Sequence, residues 1–408
     1  MPTALLYMPL KVPPRHDLVQ PLTAWLDSDE QVGFGGGFGG LSSGAGPDHG
    51  HYEDDDPVPA QWIVPKPEFS SRQCRAELLR LAALRNCLSE HLQDSHKAAL
   101  EERALEDCQD YHATLLEFEK QGFPSVESEA TEGIALTWKG AFATAQLETH
   151  HSLVWDRVGC LWNVAALQSF VAANNQDLTT KEGCKTVISL LQSSASLLST
   201  LQQLVEPQDY STVDCSTAML QFWETLLKAQ AQFCIYKMAN LGGTTRQHTT
   251  LAYLIQAAAS LFNEALTLAQ DPRLQSEVPK QSKRWATHCK AQSLICQARA
   301  TFHMSIEHRL QHEHGLELAR LSQCVAQLKE CYDFWKSAEL DLQEVNGLVQ
   351  LARDRLDRAR SDNDSIYLDD VPTSLPEIRA QTMVKSNLPL PPAMMQPNVS
   401  LFQWYGKK

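Results

Sequence analysis

Residues 153–173 read Leu-Val-Trp-Asp-Arg-Val-Gly-Cys-Leu-Trp-Asn-Val-Ala-Ala-Leu-Gln-Ser-Phe-Val-Ala-Ala. Apolar residues recur through this run at helical spacing, and it holds no proline, so it predicts one long helix. Working outward, the same period holds on both sides. Upstream, Cys74, Leu78, Leu81, Leu84 and Leu88 line one helix face, and Leu105, Cys108, Tyr111, Leu115 and Phe118 line another. Downstream, Thr179-Thr180-Lys181-Glu182 offers a capping box, with Thr179 at the N-cap and Glu182 three positions on. The helix it opens presents Val187, Leu191, Leu198, Leu201 and Val205 on one side. Further helices are expected from about Cys215 to Leu241, stopped by Gly242-Gly243, and from Thr250 to Ala269, before Pro272. Three more follow, Lys280 to about His312, Leu316 to Trp335 and Leu340 to Arg360. Strand-like runs are confined to Ala4–Leu10 and Ile134–Trp138. A short helical pattern around Leu18, Leu22, Trp25 and Leu26 follows the first of them. The pattern is that of a mostly α protein, an extended helical array with a small sheet. No fixed repeat period is present, so a strict tetratricopeptide array is not expected.

Two segments break the pattern. Gly33–Gly46 is a glycine tract and His49–Pro59 is acidic, and neither composition can bury a core, so residues 33–60 read as a flexible insertion. Residues 361–408 carry prolines at 372, 376, 389, 391, 392 and 397, and read as an extended strap along the helical body. Ile366, Tyr367, Val371, Leu375 and Val384 in it are expected to find burial there.

Composition narrows the class. The chain has 408 residues, 43% hydrophobic and 21% charged, with a net charge of −14. That is an ordinary globular composition, and its acidity argues against a nucleic-acid binder. The longest uncharged run, Thr186–Val205, is half Ser, Thr or Gln and does not read as membrane-spanning. Met1–Lys11 has no basic region ahead of its apolar run, so no signal peptide is read. Eleven cysteines are scattered without a C-x-x-C pair, and Cys87, Cys108, Cys160, Cys296 and Cys331 fall at apolar helical positions. A reducing, cytoplasmic location follows.

Motif searching finds no chemistry. Gly35–Gly40 and Gly40–Gly44 match the G-x-G-x-x-G dinucleotide-binding and G-x-S-x-G nucleophile-elbow patterns, but without the strand and helix that those need, and there is no Gly-Lys-Ser/Thr phosphate loop. His308 and His312 stand at i, i+4 with His314 beyond, yet no third metal ligand accompanies them. His150-His151 is read as a pair without a partner, and Pro389-Leu390-Pro391-Pro392 as part of a tail docked on its own domain. An enzyme-free helical array points to a scaffold whose grooves accept an amphipathic helix.

Several segments then resemble the Bro-one domain family, the boomerang-shaped domain of ALIX-like, ESCRT-associated proteins. They are Leu136-Thr137-Trp138-Lys139-Gly140-Ala141-Phe142, Cys160-Leu161-Trp162-Asn163-Val164-Ala165-Ala166-Leu167, and Lys228-Ala229-Gln230-Ala231-Gln232. Ser361-Asp362-Asn363-Asp364-Ser365-Ile366-Tyr367 with Val371-Pro372, then Met383-Val384-Lys385, continue the family order. Leu10-Lys11 with Pro21-Leu22 fits the family's start. The resemblance implies one domain over residues 1–408, a curved array with tetratricopeptide-like hairpins, and a small N-terminal sheet from the Ala4 and Ile134 segments. It also implies a non-enzymatic adaptor without cofactor or metal. Its partner would be the C-terminal amphipathic helix of an ESCRT-III subunit, a charged multivesicular body protein. The adaptor would be monomeric and cytoplasmic, and recruited to endosomal membrane through that partner. A signalling scaffold of the rhophilin or fungal pH-response type is the alternative. The implied groove positions are Ile235, Leu254, Thr250 or Leu251, Lys185, and Lys181, where relatives carry an acid.

Overall fold

A computed structural model describes residues 6, 8–11, 13, 71–92, 102–120, 135–142, 147–174, 177–208, 210–242 and 247–398. The insertion at 33–60, the pattern around Trp25 and the last ten residues lie outside these. The described elements are α1 (Ser71–Leu92), α2 (Glu102–Lys120), β1 (Leu136–Lys139), β2 (Leu147–His150), α3 (Leu153–Asn174) and α4 (Lys181–Val205). They continue through α5 (Thr217–Asn240), α6 (His248–Ala269), α7 (Pro272–Glu277), α8 (Pro279–Leu310), α9 (His314–Ser337), α10 (Gln343–Asp362) and α11 (Pro392–Met395). From α1 to α10 each long helix packs chiefly on the next one in sequence, so the core runs along the array as a chain of hairpin interfaces. Of the described helices only α6 is long and apolar enough to span a membrane, and here it is packed between α5 and α8.

The helix expected at 153–173 is α3, and it is buried nearly all round. The capping box at its successor is displaced by one residue. Thr180, not Thr179, is the N-cap of α4, its Oγ1 accepting from Gly183 N at 3.1 Å. Thr179 donates both its N–H and its hydroxyl to Asp177 Oδ1 instead. Gly183 allows this turn, because a Cβ there would lie 1.9 Å from the Asp177 carbonyl oxygen.

The small sheet also differs from expectation. Among the described residues it is an antiparallel pair of β1 and β2, with Trp138 opposite Glu148, and none of residues 6 and 8–11 joins it. Residues 6 and 8–11 form no strand; side chains of the apolar helices hold them. Gln230 accepts from Leu6 N at 2.6 Å and donates to its carbonyl at 3.1 Å. Ser169 accepts from Met8 N, and Asn163 takes both the N–H and the C=O of Lys11. Polar residues inside apolar helices thus replace the missing neighbour strand.

Buried charge ties this end together. Asp156 on α3 accepts from Arg85 Nε at 2.7 Å, from Trp138 Nε1 at 2.6 Å and from the Tyr111 hydroxyl, joining α1, α2, β1 and α3. Gly159 makes room for Trp138, whose ring would lie 2.4 Å from any Cβ there. Lys11 Nζ pairs with Asp214 at 3.1 Å, both fully buried. Burial alone would lower the Lys11 pKa, but the Asp214 carboxylate outweighs it and holds the ammonium charged.

The described residues after α10 run largely extended, and their apolar side chains divide. Val384 and Leu390 pack against the main core, while Ile366 and Leu368 stand 65% and 73% exposed and Tyr367 and Val371 are also exposed. The chain leaves α10 through a π-turn at Asn363–Tyr367 and a left-handed Leu368, a tight exit that turns these side chains outward. Cys87 is exposed as well, against the expectation from its spacing.

Candidate functional site

The six positions that the resemblance implies lie at one end of the α4–α5–α6 hairpins. Lys181 and Lys185 occupy the first turns of α4, Ile235 the last turns of α5, and Thr250, Leu251 and Leu254 the first turns of α6. Antiparallel neighbours make this meeting unavoidable. A Cβ on Gly242 would lie 3.9 Å from Lys181 Nζ and 3.0 Å from Ala239 O, so that ammonium sits over the C-terminal carbonyls of α5. A cation there opposes the helix dipole. Thr250, Lys181 and Lys185 are exposed and Ile235 is half-buried. Leu251 and Leu254 are different: at 6% and 5% exposed they belong to the core between α5 and α6.

The strap forms one edge of this face. Gln381 N donates to Tyr253 O, Met383 N to Gln232 Oε1, Lys385 N to Gln192 Oε1 and Leu388 N to Ser196 Oγ. Lys181, Lys185, Gln192 and Ser196 share one face of α4 at helical spacing, so strap and lysines occupy consecutive stretches of the same surface. Gln232 is the junction, its Nε2 donating at 3.0 Å both to Leu254 O and to Gln381 O. Sequence reasoning quoted Gln232 only within a motif; an amide amid an apolar run was the available signal.

A second junction fixes the start of α6. His248 Nδ1 lies 3.0 Å from His303 Nδ1, and Tyr236 OH lies 2.9 Å from His303 Nε2. Burial pushes His303 down to about 4, assisted by His248 and Arg299, so its ring is neutral at pH 7. None of these three residues was singled out from sequence, because their partners are 55 and 67 positions away.

Elsewhere the candidate groups are engaged structurally. His308 Nδ1 meets Glu313 at 2.6 Å, and His314 stacks on Tyr367 with centroids 3.4 Å apart. Among the described residues no three His, Cys, Asp or Glu are placed to hold a metal. His150, expected to lack a partner, lies 2.9 Å from Glu148 Oε1 and forms a three-ring cluster with Trp155 and Tyr210, each pair of centroids 4.6 Å apart. Burial pushes the thiols of Cys234, Cys289, Cys296, Cys324 and Cys331 up to about 12, which leaves them protonated and poor nucleophiles.

The model of the BRO1-like domain matches residues 66–403. The chain belongs to that family. It is 29% identical over 349 residues to the human programmed cell death 6-interacting protein, covering 79% of this chain and 36% of that protein. It is 28% identical over 277 residues to the Neurospora crassa pH-response regulator protein palA/prr-1, covering 65% of this chain and 31% of that one. The chain thus spans about a third of the length of these relatives. The ALIX BRO1 domain, in its complex with CHMP4C, superposes with a TM-score of 0.75 at 23% identity, covering 98% of this chain and 99% of that one. A Bro1 domain solved as the structure basis for endosomal targeting gives 0.72 at 19%, covering 97% and 96%. At these identities the superpositions establish a shared fold, a mostly helical array with a small sheet.

Proposed function

We propose that this BRO1-like domain is a non-enzymatic adaptor that binds the C-terminal amphipathic helix of an ESCRT-III subunit across the α4–α6 end. The observation that carries the reading is the convergence of half-buried Ile235 and exposed Thr250 with Lys181 and Lys185 beside the strap. An incoming helix would bury apolar anchors against Ile235 and place carboxylates toward the lysines. The ALIX BRO1 complex with CHMP4C supports the choice of partner class. In this reading the domain is monomeric and cytoplasmic, and reaches endosomal membrane through that partner.

Leu251 and Leu254 serve the groove from below, as the packing that holds Thr250 and the α6 start in place. Leu254→Asp is therefore expected to unfold the domain and is no test of binding. Ile235→Asp is the informative change. Calorimetric titration with the C-terminal helix of each ESCRT-III subunit should give micromolar binding that this variant loses while its melting temperature holds. Lys181→Glu, which places there the acid that the family resemblance implies, should change which subunit binds best. A chain that binds no such helix has diverged in partner. The palA-type relatives favour a pH-response signalling scaffold as the second reading. Retained affinity of Ile235→Asp for a non-ESCRT protein would support it.

A further inference from the structure

At the opposite end of the α5–α8 hairpins, a cavity of about 600 Å³ opens between the N-terminal segment, the first half of α8 and the turn from α9 to α10. Small-ligand sites fall in the range of about 300–1,000 Å³. The floor is apolar, built from Leu6, Trp335 and Leu340. It is also rigid. Both backbone groups of Leu6 are bonded to Gln230, and the Trp335 indole N–H donates to Ala291 O at 3.3 Å, leaving its ring for apolar contact.

The rim has the opposite chemistry. Lys280, Lys283 and Arg284 stand at i, i+3 and i+4 on the exposed face of α8 and make no ion pair with any described residue. Three such cations are unexpected in a chain of net charge −14. Of the acids at the same cavity, Glu344 pairs with Arg299, and Asp341 accepts from Gln343 N at 3.0 Å. In the wall, His288 Nε2 is shielded from solvent and has no hydrogen-bond partner. Burial and the adjacent Arg284 push its pKa down to about 4, so it is a neutral imidazole, edge-on to Phe262 with ring centroids 6.2 Å apart.

We propose that this cavity binds a small anionic amphiphile, a carboxylate or phosphate monoester on a single apolar chain. Lys280, Lys283 and Arg284 hold the head, and the chain lies on Leu6, Trp335 and Leu340. A compact anion leaves the floor bare. An uncharged apolar molecule leaves the cations unanswered. The site is separate from the α4–α6 groove, and the proposal does not depend on the adaptor reading.

Octyl phosphate is a suitable probe for calorimetry on the full chain, with inorganic phosphate and 1-octanol as the head and the chain alone. One molecule should bind per chain, with both controls weaker by roughly tenfold or more. The paired change Lys280→Ala and Arg284→Ala should weaken octyl phosphate by roughly tenfold as well. Ala338→Trp, which fills the cavity from a half-buried position and keeps every cation, should abolish binding. Thermal melts report that both variants are folded, and the double alanine variant lies on the surface and suffices if the tryptophan variant does not fold. No saturable binding of octyl phosphate, or equal binding of inorganic phosphate, overturns the proposal. Vesicle flotation separates a soluble ligand from a bilayer. If phosphatidylcholine vesicles carrying phosphatidic acid bind through Lys280 and Arg284 but are indifferent to Ala338→Trp, the cations read a membrane surface and the cavity takes no chain.

Discussion

The two ends of the helical array treat charge in opposite ways. At the α1–α3 end Arg85, Asp156, Lys11 and Asp214 are all buried, and each has an ionic partner of opposite sign. At the α8–α10 end Lys280, Lys283 and Arg284 surround a cavity without such partners among the described residues. The residue types are the same, and burial with pairing decides what they do. A charge that has lost its water must be answered within the protein, so at the first end it becomes architecture. A charge that keeps its water costs nothing to leave unanswered and remains available to a ligand.

The sharpest break in that comparison is Asp156→Ala. It strands a buried guanidinium and removes the acceptor of Tyr111 and Trp138, and should cost about 3–5 kcal/mol. Against a total of about 5–15 kcal/mol, denaturant midpoints should fall far or folding should fail. Lys280→Ala at the other end should shift stability by no more than about 0.5 kcal/mol. If the two variants melt alike, pairing at the first end is ornamental and the contrast is wrong.

Next in size is the junction at Gln232. Gln232→Ala removes a second donor from the Leu254 carbonyl, which keeps its bond within α6, and frees Gln381 and Met383, at a cost of about 1–3 kcal/mol for the three hydrogen bonds. Hydrogen exchange should speed at Met383 and across the strap, while Leu6, held by Gln230, stays protected. Ile235→Asp should leave both strap and stability nearly unchanged, which separates the groove surface from the layer that supports it.

Local pattern carried much of this architecture and none of its long-range bonding. Helical spacing located α1 to α6 and α8 to α10, though not the six-residue α7, because burial of one face is written in neighbours three and four apart. Asn163, Gln230 and Gln232 looked like polar interruptions, since the backbone groups that they serve lie 149–224 positions away. The β1–β2 pairing is local and was missed for another reason: Leu147-Glu148-Thr149-His150 is polar and half-exposed, so its sequence carries little strand signal. At the groove, spacing could place Leu254 on a helix but could not tell a floor residue from the core beneath it. Ile366 and Leu368 failed in the other sense, because burial was inferred from hydrophobicity while a π-turn and a left-handed residue point them outward. The cations of α8 were legible at i, i+3, i+4 in an acidic chain, yet the cavity that gives them meaning is closed by residues from four segments.

A last contrast between the ends is in pH. His112, on α2, is pushed down to about 3 by burial and by Arg157, with its Nδ1 donating to Met394 O at 3.0 Å. His288, in the cavity wall, is pushed down to about 4. Each ring is neutral when folded, whereas the unfolded chain takes up a proton near pH 6.5. Stability from each is therefore complete above pH 6.5 and is lost as pH falls toward the folded value, by about 1.4 kcal/mol per pH unit at most. Melting temperature should decline from pH 7 to pH 5, and His112→Gln and His288→Gln should each flatten the decline. Octyl phosphate distinguishes them. An anion beside His288 favours its charged form and raises its pKa, so bound ligand should flatten the His288 contribution and leave that of His112 untouched. Equal response at both histidines would mean that the ligand stabilises the fold without entering the cavity.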